Sequence, residues 1–443
     1  MRKYLAIIAC KLGRFVGKLV KRGSSLPGKL ALKIDPNILS KIRLPQYVIA
    51  VTGSNGKTST VEMMYQVLTK AGYSVACNKE GSNQIEGVTT FILENVTLSG
   101  RFTKDIVLIE SDERYARHTF RHFVPTHYVI TNLYRDQLTR NGHPEWIYDI
   151  IKDSIHDGSK LILNADDPLI SRFGVGHNND VYYFGIERFS GSEEECSSVY
   201  DDGKYCPVCH RPMVYEYRHF NHIGKYRCEH CGYERHDPDY RITDIDLNEG
   251  YLMIEDRYRI DLSLKSIYNA YNILSVYAVA DLLKISGETV AECLNNYILK
   301  NGRVQYFKAG SAEGMLLTSK HENSISYNQS LRVIENHDGD VTVMVMVDAI
   351  SRKYFTSETS WLWDIDFERL NSENVRRIIV TGLYSSDVAE RLVYADVDMN
   401  KVVIEKDIPA AIEYLKENSI GYTYMITCFS DQDKFLSRVE VQK

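Results

Sequence analysis

The chain is 443 residues long, too long for one hydrophobic core, so two or three domains are expected. Its 44% hydrophobic and 25% charged residues are ordinary for a soluble globular protein, and a net charge of −6 gives no support to nucleic-acid binding by the whole molecule. Four of the nine cysteines form two CxxC pairs, and the other five (Cys10, Cys77, Cys196, Cys293, Cys428) are scattered, which argues for a reducing, cytoplasmic compartment rather than a disulfide scaffold.

No stretch approaches the ~20 apolar residues of a membrane span. The opening MRKYLAIIACKLGRFVGKLVKRG superficially resembles a signal peptide, but Lys11 stops its apolar run and no small-residue cleavage site follows. It reads as a basic amphipathic helix, with Leu5, Ile8, Leu12, Phe15, Val16 and Leu19 on one side and Lys3, Lys11, Arg14, Lys18, Lys21 and Arg22 supplying charge. Two readings stand: packing on the body of the protein, or contact with an anionic membrane surface as well. Residues 24–39 read as a turn-rich connector.

Tyr47 to Met64, YVIAVTGSNGKTSTVEMM, is the organising stretch. Val48–Val51 predict a short buried strand, Gly53 and Gly56 a turn, and Val61, Met64 and Val67-Leu68 a helix. Strand, Gly-rich turn, Gly-Lys-Thr and helix is the layout of a phosphate-binding loop, whose N–H groups and helix N-terminus favour an anion. Lys57 would reach the terminal phosphates, and the Thr58 hydroxyl would hold Mg²⁺. The usual first glycine of such a loop is Val51 here.

Alternating strand and helix signals follow. Strands are expected near Val75–Cys77, over Asp105–Glu110, over Tyr128–Thr131 and over Leu161–Leu163, with polar loops at 78–87, 132–142 and 164–168. Polar residues at strand C-termini fit an open parallel sheet with ligands beyond those ends. Glu110, Asp112 and Glu113 end one such strand. Glu110 is placed to coordinate Mg²⁺ beside the loop; the competing reading is a solvated acidic turn.

Cys206-Pro-Val-Cys209 and, eighteen residues on, Cys228-Glu-His-Cys231 predict a four-thiolate zinc ribbon. Four cysteines leave no open coordination position, so the role is structural, in an insert with few aliphatic residues. His210, His219, His222 and His230 are expected to face solvent, with one able to replace a cysteine. Strands are expected over 239–246 and 251–260. A long apolar helix runs from Ser266 to about Leu283, with Asn269 and Asn272 on one face; they suit either an adenine edge or a helix cap. A further helix spans about 287–299. The chain then starts a second, smaller α/β pattern. It has strands at Met315–Thr318, Val341–Val347, Arg377–Thr381, Val402–Ile404 and Tyr424–Thr427, and helices at 386–394 and 408–417.

These pieces together resemble the Mur ligase superfamily. VTGSNGKTST looks like its ATP loop, which accounts for Val51. The EGSN loop, Glu110, NADDP at 164–168, Tyr-Asn-Ala-Tyr-Asn at 268–272 and Gly302-Arg303 follow in the family's order. Within the superfamily the chain resembles the MurT family, through SSLPGKLALKIDPNIL, TNLYRDQLTRNG, the four-cysteine insert, SWLWDIDFE and TGLYSSDVAERLVYA. The resemblance implies an α/β fold. Residues 1–45 would be the basic helix and connector, 46–305 a central ATPase domain with a mostly parallel sheet and a ribbon insert at about 200–236, and 306–443 a Rossmann-like α/β domain. It implies a two-subunit enzyme paired with GatD, a glutamine amidotransferase. The ligase subunit would use ATP to convert the α-carboxylate of D-glutamate in lipid II to an acyl phosphate, which ammonia turns into D-isoglutamine.

By position the resemblance assigns Gly53, Asn55, Gly56, Lys57, Thr58 and Ser59 to the nucleotide, Thr58 and Glu110 to Mg²⁺, Asn272 to the adenine side and Arg303 to the γ-phosphate. Tyr268 stands where many Mur ligases have histidine, which suits adenine stacking. Asp348 matches the family's active-site aspartate; the competing reading is a strand-end aspartate with no chemistry. The departures lie in the second domain. Asn323-Ser-Ile-Ser-Tyr-Asn328 replaces a usual Asn-Pro-Ala-Gly-Phe-Asn, and Val347–Glu358 is longer than its counterpart. A related amide ligase acting on another carboxylate, and a non-catalytic ATP-binding scaffold, remain the alternatives.

Overall fold

The computed structural model describes residues 1–19, 25–78, 83–137, 141–176, 178–298, 304–350 and 358–442. They fall into two units: Met1–Leu133, Pro144–Ser197 and Asp201–Leu299 in the first, Tyr134–His143, Ser198–Tyr200 and Lys300–Lys443 in the second.

The first unit is organised on β1 (Tyr47–Thr52), β2 (Val75–Cys77), β3 (Ile106–Glu110), β4 (His127–Ile130), β5 (Lys160–Asn164) and β6 (Val181–Ile186). β7 (Val214–Phe220) and β8 (Ile223–Arg227) form a separate hairpin, and β9 (Tyr240–Asp246), β10 (Tyr251–Ile254) and β11 (Tyr258–Asp261) complete the main sheet. Its order is β11-β10-β9-β6-β5-β4-β1-β3-β2, parallel from β9 to β2 with an antiparallel edge at β10 and β11. Val48–Val51 are almost fully buried because both faces of the sheet are covered, which is why this strand reads as a continuous apolar run. Val48, Val107 and Ile109 share a core with α1 (Arg2–Leu19), α2 (Leu26–Ile34) and α4 (Ile85–Glu94), while Ala50, Tyr128 and Ile130 pack with the helix Pro144–Lys152.

Three expectations need correction. α1 does pack on the body, but through Ala6, Ile7 and Cys10; Leu5, Ile8, Leu12, Phe15 and Val16 stay exposed. The connector contains a helix, α2, because Pro27 suits the first helical turn, where its missing N–H costs nothing. Residues 251–260 are not one strand: Glu255 and Asp256 both take φ +52° and turn the chain into an antiparallel hairpin.

The second unit carries β12 (Val304–Ala309), β13 (Ala312–Ser319), β14 (Val341–Met346), β15 (Val375–Thr381), β16 (Val402–Glu405), β17 (Tyr422–Cys428) and β18 (Glu440–Gln442). The order is β16-β15-β14-β17-β13-β12-β18, parallel from β16 to β13 and antiparallel at β12 and β18. Every residue of β14 is buried, as the central strand of a sheet covered on both faces must be. One core face holds Tyr327, Trp361 and Phe367; the other holds Phe307, Ile412 and Phe435.

Candidate functional site

β1 delivers the chain into the turn at Gly53, and α3 (Lys57–Lys70) starts directly after Gly56. Gly53 has φ +133° and Gly56 φ +83°. Crowding demands glycine as well: a Cβ on Gly53 would strike Thr131 Oγ1, and one on Gly56 would strike Asn272 Oδ1. The loop is braced from β4. Thr131 Oγ1 donates to the Asn55 carbonyl at 3.0 Å, Asn132 Oδ1 accepts from Asn55 N–H at 2.8 Å, and the Asn132 carbonyl accepts from Ser54 N–H at 2.9 Å. Lys57 is buried, donating to the carbonyls of Gly53 and Ser54 and to Glu113 Oε2, the last at 3.0 Å. Thr58 is exposed and Ser59 half-buried on the first turn of α3.

Glu110 ends β3, in register with Val51, and is half-buried. Its backbone is clamped by Asn78, whose Oδ1 accepts from Glu110 N–H at 2.8 Å and whose Nδ2 donates to the Glu110 carbonyl at 2.9 Å. Asn272 lies in the helix Ile267–Leu282, where its Oδ1 accepts from Thr60 Oγ1 at 3.2 Å, on the first turn of α3. Loop, Glu110, Glu113 and Asn272 are thus held by β1, β3, α3 and one buried helix. Arg303 and most of the EGSN loop lie outside the described residues.

The four cysteines fit a tetrahedral metal. Their sulfurs all lie within 4.8 Å of one another, at 3.7 Å for Cys206–Cys231 and 3.5 Å for Cys209–Cys228. Zn–S bonds of about 2.3 Å imply S···S edges of about 3.8 Å. His210 (φ +58°) and Gly232 (φ +75°) make the tight turns after the two knuckles. The histidine expectation holds for His210 and His230, which are exposed, and fails for His219 and His222, which are buried. Those two belong to the β7–β8 hairpin, and they face the NADDP segment. Asp166 accepts from Ile186 N–H at 2.8 Å, from Arg235 Nε at 2.5 Å and from Tyr271 Oη at 2.5 Å, with His219 at 3.9 Å. Asp167 caps the helix Pro168–Ser171, accepts from Leu133 N–H at 2.9 Å and faces His222 at 3.6 Å. Burial pushes the His219 imidazole below its ordinary value despite Asp166. For His222 burial also pushes down, but the Asp167 carboxylate, with Asp202 adding to it, leaves the group above its ordinary value. Phe220 of the hairpin packs on Tyr268, ring centroids 4.3 Å apart, so the insert reaches the start of the helix that bears Asn272.

In the second unit, Asp348 follows β14. Its Oδ1 accepts from Leu383 N–H at 2.8 Å and its Oδ2 from Lys434. The fully buried Asp431 accepts from the backbone N–H groups of Asp348 (3.1 Å) and Ala349 (2.9 Å), and from Lys434 Nζ at 2.8 Å. The departing segment Asn323–Asn328 starts the helix Ser324–Glu335. Asn323 is its N-cap, accepting from Ser326 N–H at 2.8 Å and donating to Asp136 at 2.7 Å. Asn328 accepts from Asp366 N–H at 2.8 Å, and Tyr327 is buried against Trp361. The two asparagines common to this chain and the family pattern hold backbone, and the aromatic position holds core. Thr131 and Asn132 open the TNLYRDQLTRNG phrase and Glu113 closes the acidic end of β3, but no spacing in the sequence ties any of them to the loop, and Asp431 and Lys434 belong to no motif. Glu113 and Asp431 follow the buried strands β3 and β17 within three residues, and Lys434 lies in the helix Gln432–Leu436.

Residues 51–280 match the Mur ligase middle domain and residues 321–431 the MurT ligase C-terminal domain. Over 413 residues the chain is 34% identical to the MurT subunit of the glutamine-hydrolysing lipid II isoglutaminyl synthase of Staphylococcus aureus (strain COL), covering 92% of this chain and 91% of that protein. The chain belongs to the MurT family. The subunit of the same name from Streptococcus pneumoniae is 28% identical over 441 residues, 98% of this chain and 96% of that one. Among solved structures, a pseudomurein peptide ligase type C from Methanothermus fervidus has a TM-score of 0.66 at 23% identity, covering 91% of this chain and 80% of that one. MurF from Acinetobacter baumannii has a TM-score of 0.63 at 16% identity, with 92% and 80% covered. At these identities the two structures establish the fold of this MurT-family chain. Its Mur ligase middle domain implies the use of ATP.

Proposed function

We propose that this chain is the ATP-dependent synthetase subunit of a lipid II isoglutaminyl synthase. Its substrate is the α-carboxylate of D-glutamate in the lipid II stem peptide. A carboxylate oxygen attacks the γ-phosphorus of ATP, ADP leaves, and an acyl phosphate forms. Ammonia then attacks the acyl carbon and loses a proton, phosphate leaves, and D-isoglutamine results. A GatD-like glutaminase subunit supplies the ammonia. The observation that carries the reading is the match along 92% of the chain to a MurT subunit. The braced phosphate loop with Lys57 at its end supports it.

In this reading Gly53, Asn55, Gly56, Lys57, Thr58 and Ser59 receive the phosphates, and Lys57 offsets charge developing on them. Asn272 serves the nucleotide, Arg303 the γ-phosphate, and Asp348 the acyl-transfer half. The Thr58 hydroxyl and Glu110 carboxylate are hard oxygen donors of the kind magnesium takes; bound there, the ion would neutralise phosphate charge. Zinc on Cys206, Cys209, Cys228 and Cys231 would be structural. The protein works at the cytoplasmic face of the membrane that holds lipid II, and no described helix is long and apolar enough to cross it.

The test is reconstitution of the chain with its glutaminase partner, ATP, Mg²⁺, glutamine and lipid II, measuring phosphate release and product mass. Amidated lipid II is expected. ATP turnover with other carboxylates only would replace the substrate, and nucleotide binding without turnover would make the chain a scaffold.

A further inference from the structure

We propose that α1, together with α2, docks this protein flat on an anionic phospholipid surface. The proposal is independent of the ligase chemistry and rests on how the N-terminal helix is oriented. A helix held only by the protein body would bury its bulkiest apolar residues, since that removes the most apolar area from water. Here the body side is Ala6, Ile7 and Cys10, with Gly13 against Pro27 of α2. The outward side carries Leu5, Ile8, Leu12, Phe15 and Val16, with Leu12 61% and Phe15 64% exposed. Positions 5, 8, 12, 15 and 16 form a single stripe at helical spacing. On α2, Leu26 and Leu30 are exposed as well. An apolar stripe of this size facing water marks an interaction site.

Charge decides what covers it. Residues 1–34 contain nine Lys or Arg and no Asp or Glu, in a chain whose net charge is −6. Arg2, Lys29 and Lys33 are exposed. Lys11 and Arg14 lie at the border of the buried face, donating to the Glu94 carbonyl (3.1 Å) and Glu94 Oε2 (3.2 Å). A second copy of this chain would bring the same excess of positive charge to the interface. A surface of anionic headgroups over acyl chains complements both features, the cations at the rim and the bulky stripe a few ångströms deeper.

The experiment is co-sedimentation of the full chain with vesicles of phosphatidylcholine alone, or containing about one-third phosphatidylglycerol, in about 0.1 M and about 0.5 M salt. Pelleting with the anionic vesicles at low salt is expected, weakened at least ~tenfold by high salt or by omitting phosphatidylglycerol. Leu12→Glu with Phe15→Glu should cost at least ~tenfold in partitioning while leaving the melting temperature unchanged, because both side chains are exposed. Lys29→Gln with Lys33→Gln, a milder pair, should weaken binding to anionic vesicles only. The proposal is overturned if the wild-type chain stays in the supernatant with anionic vesicles, or if the Glu pair pellets like wild type. A dimer in sedimentation velocity that the Glu pair abolishes, without vesicle binding, would assign the face to a second copy instead.

Discussion

Lys57 Nζ lies 3.0 Å from Glu113 Oε2, with both side chains more than nine-tenths buried. On the proposed nucleotide site, phosphates and Glu113 compete for this one cation. Lys57→Ala should lower ATP turnover ~100-fold or more, since a preorganised charge at the phosphates is lost. Glu113→Gln should destabilise the nucleotide-free protein by about 3 kcal/mol, the cost of uncovering half of a buried pair. It should also make ATP·Mg²⁺ stabilise the variant more than wild type. Melting curves with and without nucleotide measure both. An equal nucleotide shift in the two proteins would contradict the competition.

Gly56 distinguishes strain from crowding. Asparagine tolerates φ > 0 better than alanine, so backbone strain alone would make Gly56→Asn much milder than Gly56→Ala. The Asn272 Oδ1 collision predicts that both lose nucleotide affinity by at least ~tenfold, because any Cβ meets it. Titration with a fluorescent nucleotide reads this directly; full affinity in the asparagine variant would remove the crowding argument.

Zinc content should be about one per chain, and Cys206→Ser should lower it along with the melting temperature. Because Phe220 packs on Tyr268, the same variant should bind nucleotide more weakly than wild type. Metal analysis and nucleotide titration on one preparation check the pair of effects. Unchanged zinc stoichiometry in the variant would contradict the four-cysteine site.

His222 has a raised pKa in the fold, so the native state holds its proton more tightly than the unfolded chain does. Its stabilisation is fully present below the unfolded value of ~6.5 and is lost as pH rises through the folded value. His219 acts with the opposite sign: its lowered value makes the fold lose stability as pH falls through ~6.5. In His222→Gln the stability deficit relative to wild type should be largest at acidic pH and shrink as pH rises. Denaturant midpoints across that range test it, and a deficit that grows with pH would reverse the assignment.

Asp431 touches no motif residue's side chain chemistry directly, but it accepts the N–H groups of Asp348 and Ala349. Asp431→Asn puts an amide where two donors and Lys434 expect oxygens, leaving a buried mismatch worth about 1–3 kcal/mol. On the reading that Asp348 serves acyl transfer, kcat for amide formation should fall ~tenfold while KM for ATP stays near wild type. A rise in KM for ATP with kcat intact would make Asp431 a structural residue of another kind.

Much of this was legible in the residues themselves. Tyr47–Met64 declared a strand, turn and helix because buried parallel strands are continuous apolar runs and left-handed turns require glycine. The cysteine pairs declared their site because metal ligation needs specific donors at specific spacing. α1 was legible as a helix, but not which side packs, since periodicity locates two faces and only the neighbouring elements choose between them. Residues 251–260 hid a hairpin, because a Glu-Asp turn lacks the glycine that usually marks one. The identity of His219 and His222 as buried partners of Asp166 and Asp167 likewise depended on contacts more than fifty residues apart. Local sequence determined the glycine-rich turn, the four-cysteine cluster and the alternating elements through propensity, spacing and donor chemistry. Tertiary structure alone decided that Thr131 and Asn132 brace the loop, that Glu113 holds Lys57 and that Asp431 holds the Asp348 backbone. Strand order brings these residues together, and strand order is set by packing across the whole sheet, not by any one segment.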